Sequence, residues 1–437
     1  MSFKFIFFAV LYLFYCSASL GSQQDPVRFK LKNQMEVYLL KDNTLPIVSH
    51  ILLYKVGSAN DPNGMSGLAH YLEHMMFKST PNTESILSAM HSAGTKYNAI
   101  TSDYFTIYYQ VGTKDSLEKI MKIESERMQS INLFDQDAKV EKKVVLQERR
   151  MRVDSRPYAL LEQEINAAFY RNDKSWNTMG WAEEIQKIST KDLDLMHKKY
   201  YTPSNAVLIL CGDIEEDHAQ KLVQKYYGNI KKRFTKVQNN LAIEPEHKSD
   251  ISLKMINGAG KERMASYCFD APNVMQKGYE SSFIASYVLG NAGVTKMRNE
   301  LIDNLSLALD LNVSYNYLTK SAGKLCINVI PFDENVRLDS IFDSINGVID
   351  QLLRDGISSK ELEISKNIAK FDLVSMLDGT CGRALNSAVM ISLGLKHDHF
   401  SHMLKEISAV NLEQVNLSIS ELFNSRKVIG FLDKQNV

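Results

Sequence analysis

The amino-acid sequence predicts an α+β fold of two homologous domains, each a mixed, largely antiparallel β-sheet packed with helices. The first observation is length, because 437 residues exceed what one hydrophobic core usually serves. The second is that amphipathic helical segments mix with strands joined partly by short turns, unlike a doubly wound parallel sheet. The third is a weak repeat that relates the two halves of the chain.

The repeat consists of two similar hexapeptides, each of which opens a predicted helix that leads to a predicted strand. ISTKDL at 188–193 precedes a strand at 206–211, and ISAVNL at 407–412 precedes a strand at 428–432. From residue 188 to residue 407 the offset is 219 residues, and the strands nearly keep it. The sequence therefore predicts two copies of one α/β unit.

A polar stretch, 236–250, lies between the two copies, contains Pro245 and shows little hydrophobic periodicity. This composition is typical of a connection between domains. We therefore predict a first domain at 23–238, a linker at 239–250 and a second domain at 251–437.

Local composition locates the elements of the first copy. Segments rich in β-branched and aromatic residues are predicted strands, and segments with apolar residues at helical spacing are predicted helices. The predicted strands are 37–40, 47–56 and 104–111, and the predicted helices are 66–77, 85–92, 117–131 and 138–153.

The N-terminus predicts export. An apolar run at 5–15 follows Lys4 and precedes small residues up to position 22. The run has the length of a signal-peptide core and is short for a membrane span. We predict a signal peptide at 1–22, with an uncleaved anchor as the alternative, and a periplasmic or other extracytoplasmic location. No later segment reaches the length of a membrane span.

The charge balance argues against a nucleic-acid-binding protein. Lys+Arg and Asp+Glu are both 51, so no net charge favours a polyanionic partner. Hydrophobic residues make up 44% and charged residues 23%, which is typical of a folded globular chain. We therefore expect no nucleic-acid partner.

Three cysteines, Cys211, Cys268 and Cys326, lie within apolar segments. Their wide spacing fits neither a zinc knuckle nor a dense disulfide scaffold. We therefore expect buried free thiols.

The pentapeptide HYLEH at 70–74 carries the chemistry. On a helix, His70 and His74 are one turn apart and project from one face, with Glu73 beside them. Two such imidazoles can reach one zinc ion, and the carboxylate can stand beside a metal-bound water. The histidines at 91, 197, 218, 247, 397, 399 and 402 have no comparable spacing, apart from the pair at 397 and 399, and we expect them at the surface.

A catalytic zinc ion needs a third protein ligand and an open position. In the predicted helix 138–153, Glu141 and Glu148 are two turns apart, on the face that also carries Val144, Val145 and Met151. Carboxylates on an apolar stripe are costly unless they meet a cation, a hydrogen-bond donor or a metal. This helix is therefore the expected source of the third ligand, and Glu124 and Glu126 on an earlier helix are the rivals.

HxxEH followed some seventy residues later by a helix with E-x6-E is similar to the inverted-motif zinc peptidases, the pitrilysin/insulinase family that includes the mitochondrial processing peptidases. The segments 94–109, 200–205 and 211–213 also resemble that family. The resemblance implies one Zn²⁺ per chain, with His70, His74 and Glu148 as ligands and Glu73 as general base. It also implies that Glu141 supports a ligand without binding the ion itself.

The resemblance also implies how a substrate binds. The segment 96–101 is the candidate edge strand, to which an extended peptide would add as a further strand. Asn98 and Ala99 lie where the family contacts the substrate backbone. This predicts loose side-chain specificity and a preference for extended or unfolded peptides.

The second copy lacks the motif. The offset of 219 carries His70 to Leu289, in a segment without histidine, so we expect one metal site. Active family members usually carry an Arg and, seven residues on, a Tyr in the second domain, where this chain has Ile302 and Leu309. The resemblance thus implies the metal-bearing subunit of a heterodimer whose related partner supplies Arg and Tyr. A homodimer is the alternative, in which Arg298 and Tyr315 or Tyr317 substitute.

We therefore expect an exported zinc metalloendopeptidase that hydrolyses extended or unfolded peptides and works as a dimer. The alternative function is a catalytically silent, zinc-binding structural subunit of a larger complex. The natural substrate does not follow from these residues.

Overall fold

The computed structural model describes residues 26–233, 244–245, 248–257, 260–377 and 379–434. The predicted signal peptide 1–22 and most of the predicted linker 239–250 lie outside these residues, so both stay predictions. None of the helices among the described residues is both long and hydrophobic enough to cross a bilayer.

The first half of the chain contains every strand and helix predicted for it, with ends shifted by a few residues. Its strands are β1 (Val27–Lys30), β2 (Glu36–Lys41), β3 (Ile47–Tyr54), β4 (Lys96–Thr101), β5 (Thr106–Thr113) and β6 (Ala206–Gly212). Its helices are α1 (Leu68–Met75), α2 (Ile86–Ser92), α3 (Leu117–Gln129), α4 (Asp135–Arg149), α5 (Pro157–Phe169), α6 (Ala182–Lys187), α7 (Thr190–Tyr200) and α8 (Glu216–Tyr227).

The second half repeats this mixture of strands and helices. Its strands are β7 (Ile251–Ile256), β8 (Met264–Ala271), β9 (Ala308–Asn316), β10 (Gly323–Pro331) and β11 (Lys427–Asp433). Its helices are α9 (Tyr279–Ser286), α10 (Lys296–Arg298), α11 (Leu338–Asp355), α12 (Ser359–Met376), α13 (Gly379–Leu393), α14 (His399–Ala409) and α15 (Leu412–Asn424).

The strands form two sheets of the same topology. The six-stranded sheet has the order β1-β2-β6-β3-β5-β4, and the five-stranded sheet has the order β7-β11-β8-β10-β9. Without β1 the two orders match strand for strand. In each sheet one pair is parallel, β2 with β6 and β7 with β11, and the other pairs are antiparallel. The predicted fold class is therefore confirmed.

The register of the repeat differs from the predicted one. Ser189 caps α7 and Asn411 caps α15 with the same reciprocal hydrogen bonds, so this part of the repeat has an offset of 222 residues. Gly67 and Gly278, both with positive φ, precede α1 and α9, which gives an offset of 211 residues there. His70 therefore corresponds to Ser281, and the predicted equivalence with Leu289 was wrong. Connections of unequal length in the two copies prevent one constant offset.

Each sheet packs one face against helices of its own domain, and its opposite face packs against a helix of the other domain. Helix α5, through Leu161 and Ile165, packs on β11 of the second sheet. Helix α13, through Ala384 and Ala388, packs on β3 and β6 of the first sheet. This reciprocal packing buries both sheets on two sides, which explains why the central strand β6 is apolar and buried throughout.

The expectation of buried free thiols was wrong for two of the three cysteines. Cys268 on β8 and Cys326 on β10 face each other across the antiparallel pair and form a disulfide. Cys211 is buried and takes no part in a disulfide. Apolar flanks are typical both of a buried thiol and of a buried cystine, so only the strand register distinguishes them.

Candidate metal centre

Helix α1 is held in place by the core of the first domain and by a carboxylate at its N-terminus. Leu68, Leu72 and Met75 are buried in the core of the first domain, which leaves the other face of the helix for the histidines. The carboxylate of Asp61 accepts hydrogen bonds from the backbone N–H groups of Gly67 at 2.8 Å and Ala69 at 2.9 Å. This carboxylate satisfies N–H groups at the start of the helix and interacts favourably with its dipole.

Helix α4 lies against α1 and directs its two glutamates toward it. The Tyr71 hydroxyl on α1 donates to the backbone carbonyl of Ala138, which fastens the two helices together. On α4, Val145 and Glu141 are buried, as the predicted stripe requires. Val144 and Met151 are instead 45% and 56% exposed, so the apolar stripe is narrower than the sequence suggested.

The three predicted ligands converge at one point. The Nε2 atom of His74 lies 3.1 Å and that of His70 lies 3.5 Å from Oε2 of Glu148. One ligand atom from each of these side chains lies within 4.8 Å of the others, and no other such group of His, Cys, Asp or Glu occurs in the described part of the chain. The donor set of two imidazoles and one carboxylate suits zinc.

Burial and hydrogen bonding set the protonation of this cluster. Burial, reinforced by the charge of His74, lowers the pKa of His70 to about 4, so its ring is neutral at pH 7. The Nδ1 atom of His70 is buried without a hydrogen-bond partner. Burial acts against protonation of His74, but hydrogen bonds to Glu141 and Glu148 raise its pKa to about 9. The hydrogen bond from His74 in turn lowers the pKa of Glu148.

Glu141 fixes the orientation of His74. Its Oε1 atom lies 2.9 Å from Nδ1 of His74, and its Oε2 atom pairs with Lys78. Burial would raise the pKa of Glu141, but these two hydrogen bonds lower it. With Nδ1–H directed to Glu141, Nε2 is the nitrogen that faces Glu148 and the candidate metal position.

Glu73 lies beside the cluster, at the end of the substrate strand predicted from the sequence. The hydroxyl of Thr101 donates to its Oε2 atom at 2.6 Å. Burial raises the pKa of Glu73, although the Thr101 hydrogen bond acts in the opposite direction. The side chain therefore retains affinity for a proton, as a general base requires.

These residues open into a cavity of about 540 Å³. Its wall contains the three candidate ligands, Glu73, Glu141 and residues of strand β4. Neighbouring helices and loops contribute Phe77, Lys78, Leu87, Arg152, Thr178 and Met179. All the lining residues found in the described part of the chain fall between positions 70 and 179. The cavity is therefore built by the first domain alone.

Among the described residues, strand β4 forms one edge of the first sheet and has β5 as its single partner strand. Asn98 and Ala99, the substrate contacts expected from the sequence, both line the cavity. Asn98 is exposed, and its Oδ1 accepts the backbone N–H of Ala99 at 2.9 Å, so this side chain is turned toward its own strand. The open edge leaves backbone groups available to an extended peptide.

The rival ligands lie elsewhere. Glu124 is fully buried in an ion pair with Arg127, and Glu126 accepts a hydrogen bond from Thr83 at 2.6 Å. Thr101, Lys78 and Arg152 contact site residues that the sequence did identify. Two of these contacts had a signal in the sequence: Thr101 lies within the predicted edge strand, and Arg152 follows Glu148 at the i, i+4 spacing of a helical ion pair. The contact of Lys78 with Glu141 depends on how two separate helices pack.

Family models match most of the chain. Residues 36–180 match the model described as insulinase (peptidase family M16). Residues 187–369 match the model described as the peptidase M16 inactive domain. The boundary between the two matches falls just before α7.

Individual relatives agree with these matches. The zinc protease PqqE of Helicobacter pylori is 27% identical over 364 residues, which cover 80% of this chain and 80% of the relative. The mitochondrial-processing peptidase subunit beta of Caenorhabditis elegans is 24% identical over 333 residues, covering 74% and 71% of the two chains. The crystal structure of a protease from Helicobacter pylori superposes with a TM-score of 0.86 at 24% identity, covering 94% of this chain and 99% of that one.

Proposed function

Because the chain belongs to peptidase family M16, the insulinase family, we propose that it is an exported zinc metalloendopeptidase of extended or unfolded peptides. The observation that carries the proposal is the convergence of His70, His74 and Glu148 next to Glu73, in a cleft bounded by an open sheet edge. The relatives named as zinc proteases support the same class of enzyme.

The residues present fit a zinc ion. His70, His74 and Glu148 would hold it through two Nε2 atoms and one carboxylate oxygen, since Nδ1 of His74 is committed to Glu141. A neutral His70 offers a lone pair without losing a proton. A bound zinc ion would supply a Lewis acid and a water molecule whose pKa is lowered to about 7.

Glu73 does the proton chemistry in this proposal. Its carboxylate accepts a proton from the attacking water, and the raised pKa makes it able to hold that proton. It then delivers a proton to the nitrogen of the leaving amine. Because Thr101 occupies Oε2, Oε1 is the oxygen left to carry the proton.

Strand β4 positions the peptide. An extended substrate adds to the free edge through backbone hydrogen bonds, and this mode of binding reads few side chains. Asn98 and Ala99 are the proposed contacts, of which Ala99 can offer only its backbone and a methyl group. A folded substrate cannot supply such a strand, so unfolded peptides are preferred.

A partner subunit completes the site in this proposal. None of the described residues that line the cavity belongs to the second domain of this chain. At the two positions expected to carry Arg and Tyr, Ile302 packs against the core of the second domain and Leu309 is 62% exposed. The possible substitutes are engaged elsewhere. Arg298 pairs with Asp310 at 3.3 Å. The Tyr315 hydroxyl donates to the Pro272 carbonyl, and Tyr317 lies in the core of the second domain. These contacts favour a heterodimer with a related chain that supplies Arg and Tyr over a homodimer.

Two features support export. The apolar run at 5–15 is followed by residues with small side chains, as in signal peptides. The Cys268–Cys326 disulfide belongs to an oxidising compartment, because cytosolic thiols are kept reduced. A periplasmic or comparable location satisfies both.

The variant Glu73→Gln tests the function. Gln keeps the size of the side chain and the acceptor for Thr101 but cannot take a proton. We expect it to bind one zinc ion per chain and to lose turnover of an unstructured quenched peptide by about 10²- to 10⁴-fold. The assay uses the chain alone and mixed with a co-expressed related subunit.

The matched control is Glu164→Gln, because Glu164 is an exposed carboxylate on α5 outside the cavity. Unchanged cleavage by Glu73→Gln would refute the general-base assignment. Zinc binding without chelator-sensitive cleavage, with or without the related subunit, would instead establish the silent structural subunit.

A further inference from the structure

We propose that Thr101 is a positioning residue for the reaction, which holds the carboxylate of Glu73 in the orientation that accepts the proton. The inference rests on the proposed function and deepens it. Its first support is the 2.6 Å hydrogen bond from the Thr101 hydroxyl to Oε2 of Glu73. A bond from a neutral donor to a carboxylate fixes the otherwise broad terminal torsion of Glu.

The position of Thr101 on β4 makes this contact specific. Along the strand, residues 97, 99 and 101 face the helices and residues 96, 98 and 100 are exposed. Tyr97 packs against Phe77 and Ala99 against the core, so Thr101 is the residue of this face that meets Glu73. The strand that would carry the substrate thus ends at the general base.

One loop fixes both partners of the hydrogen bond. Ser58 and Ala59 donate backbone hydrogen bonds to the carbonyls of Ser102 and Asp103, at 3.1 and 2.8 Å, directly after β4. Gly57 permits this approach, because a Cβ atom there would lie 2.1 Å from the carbonyl oxygen of Ser102.

The same loop continues to Asp61, whose carboxylate caps α1. The end of β4 and the start of α1 are therefore tied to the same few residues. The backbone at Thr101 and at the start of α1 is therefore held by one loop in the chain without substrate. We infer that the base is oriented before the peptide arrives, which is where positioning contributes most to rate.

Removal of the hydroxyl should misplace the base without affecting the metal or peptide binding. In Thr101→Val, a near-isosteric change, we expect kcat to fall about 10- to 100-fold, with KM within about twofold and one zinc ion still bound. Thr101→Ser restores the donor and should remain within about threefold of the wild type. The split between kcat and KM distinguishes positioning from a role in holding the peptide.

Thr106→Val is the matched control. Thr106 lies opposite Thr101 on β5, and its hydroxyl donates to the Val56 carbonyl instead of Glu73. We expect this variant to lose stability and keep kcat. The inference is overturned if Thr101→Val turns over like the wild type, if it loses zinc, or if Thr101→Ser is equally impaired.

The two proposals fail in different ways. If the wild type cleaves and Glu73→Gln does not, but Thr101→Val matches the wild type, only the positioning inference is wrong. If the wild type shows no zinc-dependent cleavage even with a related subunit, the proposed function fails and the inference fails with it.

Discussion

We expect Glu141 to set the zinc affinity of the proposed site without binding the ion itself. Its carboxylate lies 2.9 Å from Nδ1 of His74 and holds the ring with Nε2 toward Glu148. Removing such a partner of a metal-bound histidine typically costs 10- to 100-fold in affinity, or about 1.4–2.7 kcal/mol. Two substitutions separate the contributions of charge and orientation.

Glu141→Gln keeps an acceptor oxygen for the Nδ1–H of His74 and removes the charge, together with the oxygen that pairs with Lys78. We therefore expect a loss near the lower limit, about tenfold. Glu141→Ala also removes the acceptor for the Nδ1–H of His74, so we expect a loss of about 100-fold.

The assay is competition for zinc against a chromophoric chelator at pH 7.5. The control Glu164→Ala removes an exposed carboxylate of the same type, and urea unfolding of each variant shows whether the fold is kept. Unchanged zinc affinity in Glu141→Ala would refute the reasoning. So would an equal loss in Glu164→Ala, because the effect would then be one of net charge.

Two further predictions concern stability. Burial lowers the pKa of His197 to about 4, so between pH 6.5 and pH 4 the unfolded chain gains a proton that the folded chain does not. The free energy of unfolding of the zinc-free protein should therefore fall by up to about 3 kcal/mol over this range. His197→Gln should remove that part of the loss, measured as urea midpoints at pH 7.5 and pH 4, and an unchanged pH dependence would contradict the assignment. The Cys268–Cys326 disulfide closes a sequence separation of 58 residues, so its reduction should destabilise the second domain by about 4 kcal/mol. Unfolding that is the same with and without reductant would exclude the bond from the folded protein.

The sequence sufficed for the local part of the site. His70, Glu73 and His74 lie within two helical turns, so helix geometry alone places them on one side of α1. The distance from Glu148 to these residues depends on the packing of α4, and the sequence indicated only that its carboxylates needed a partner. Only the family resemblance indicated which of Glu141 and Glu148 is the ligand. In the structure Glu148 lies close to both imidazole rings, and Glu141 contacts Nδ1 of His74, on the side away from Glu148.

Two of the errors concern contacts between distant segments. His197 was expected at the surface but is buried, and its Nε2 donates to the Arg127 carbonyl on a neighbouring helix at 2.9 Å. Cys268 and Cys326 pair only because β8 and β10 are neighbours in one register. The constant repeat offset failed where connections of different length separate equivalent helices. Strand order, connection length and side-chain direction are therefore what this sequence alone could not supply.

The most direct test of the account is anomalous diffraction at the zinc edge from crystals of the zinc-loaded chain. We predict one ion per chain, bound by Nε2 of His70, Nε2 of His74 and a carboxylate oxygen of Glu148, with its fourth position facing Glu73. An ion bound elsewhere, or a site that Glu73 itself completes as a ligand, would contradict the central claim.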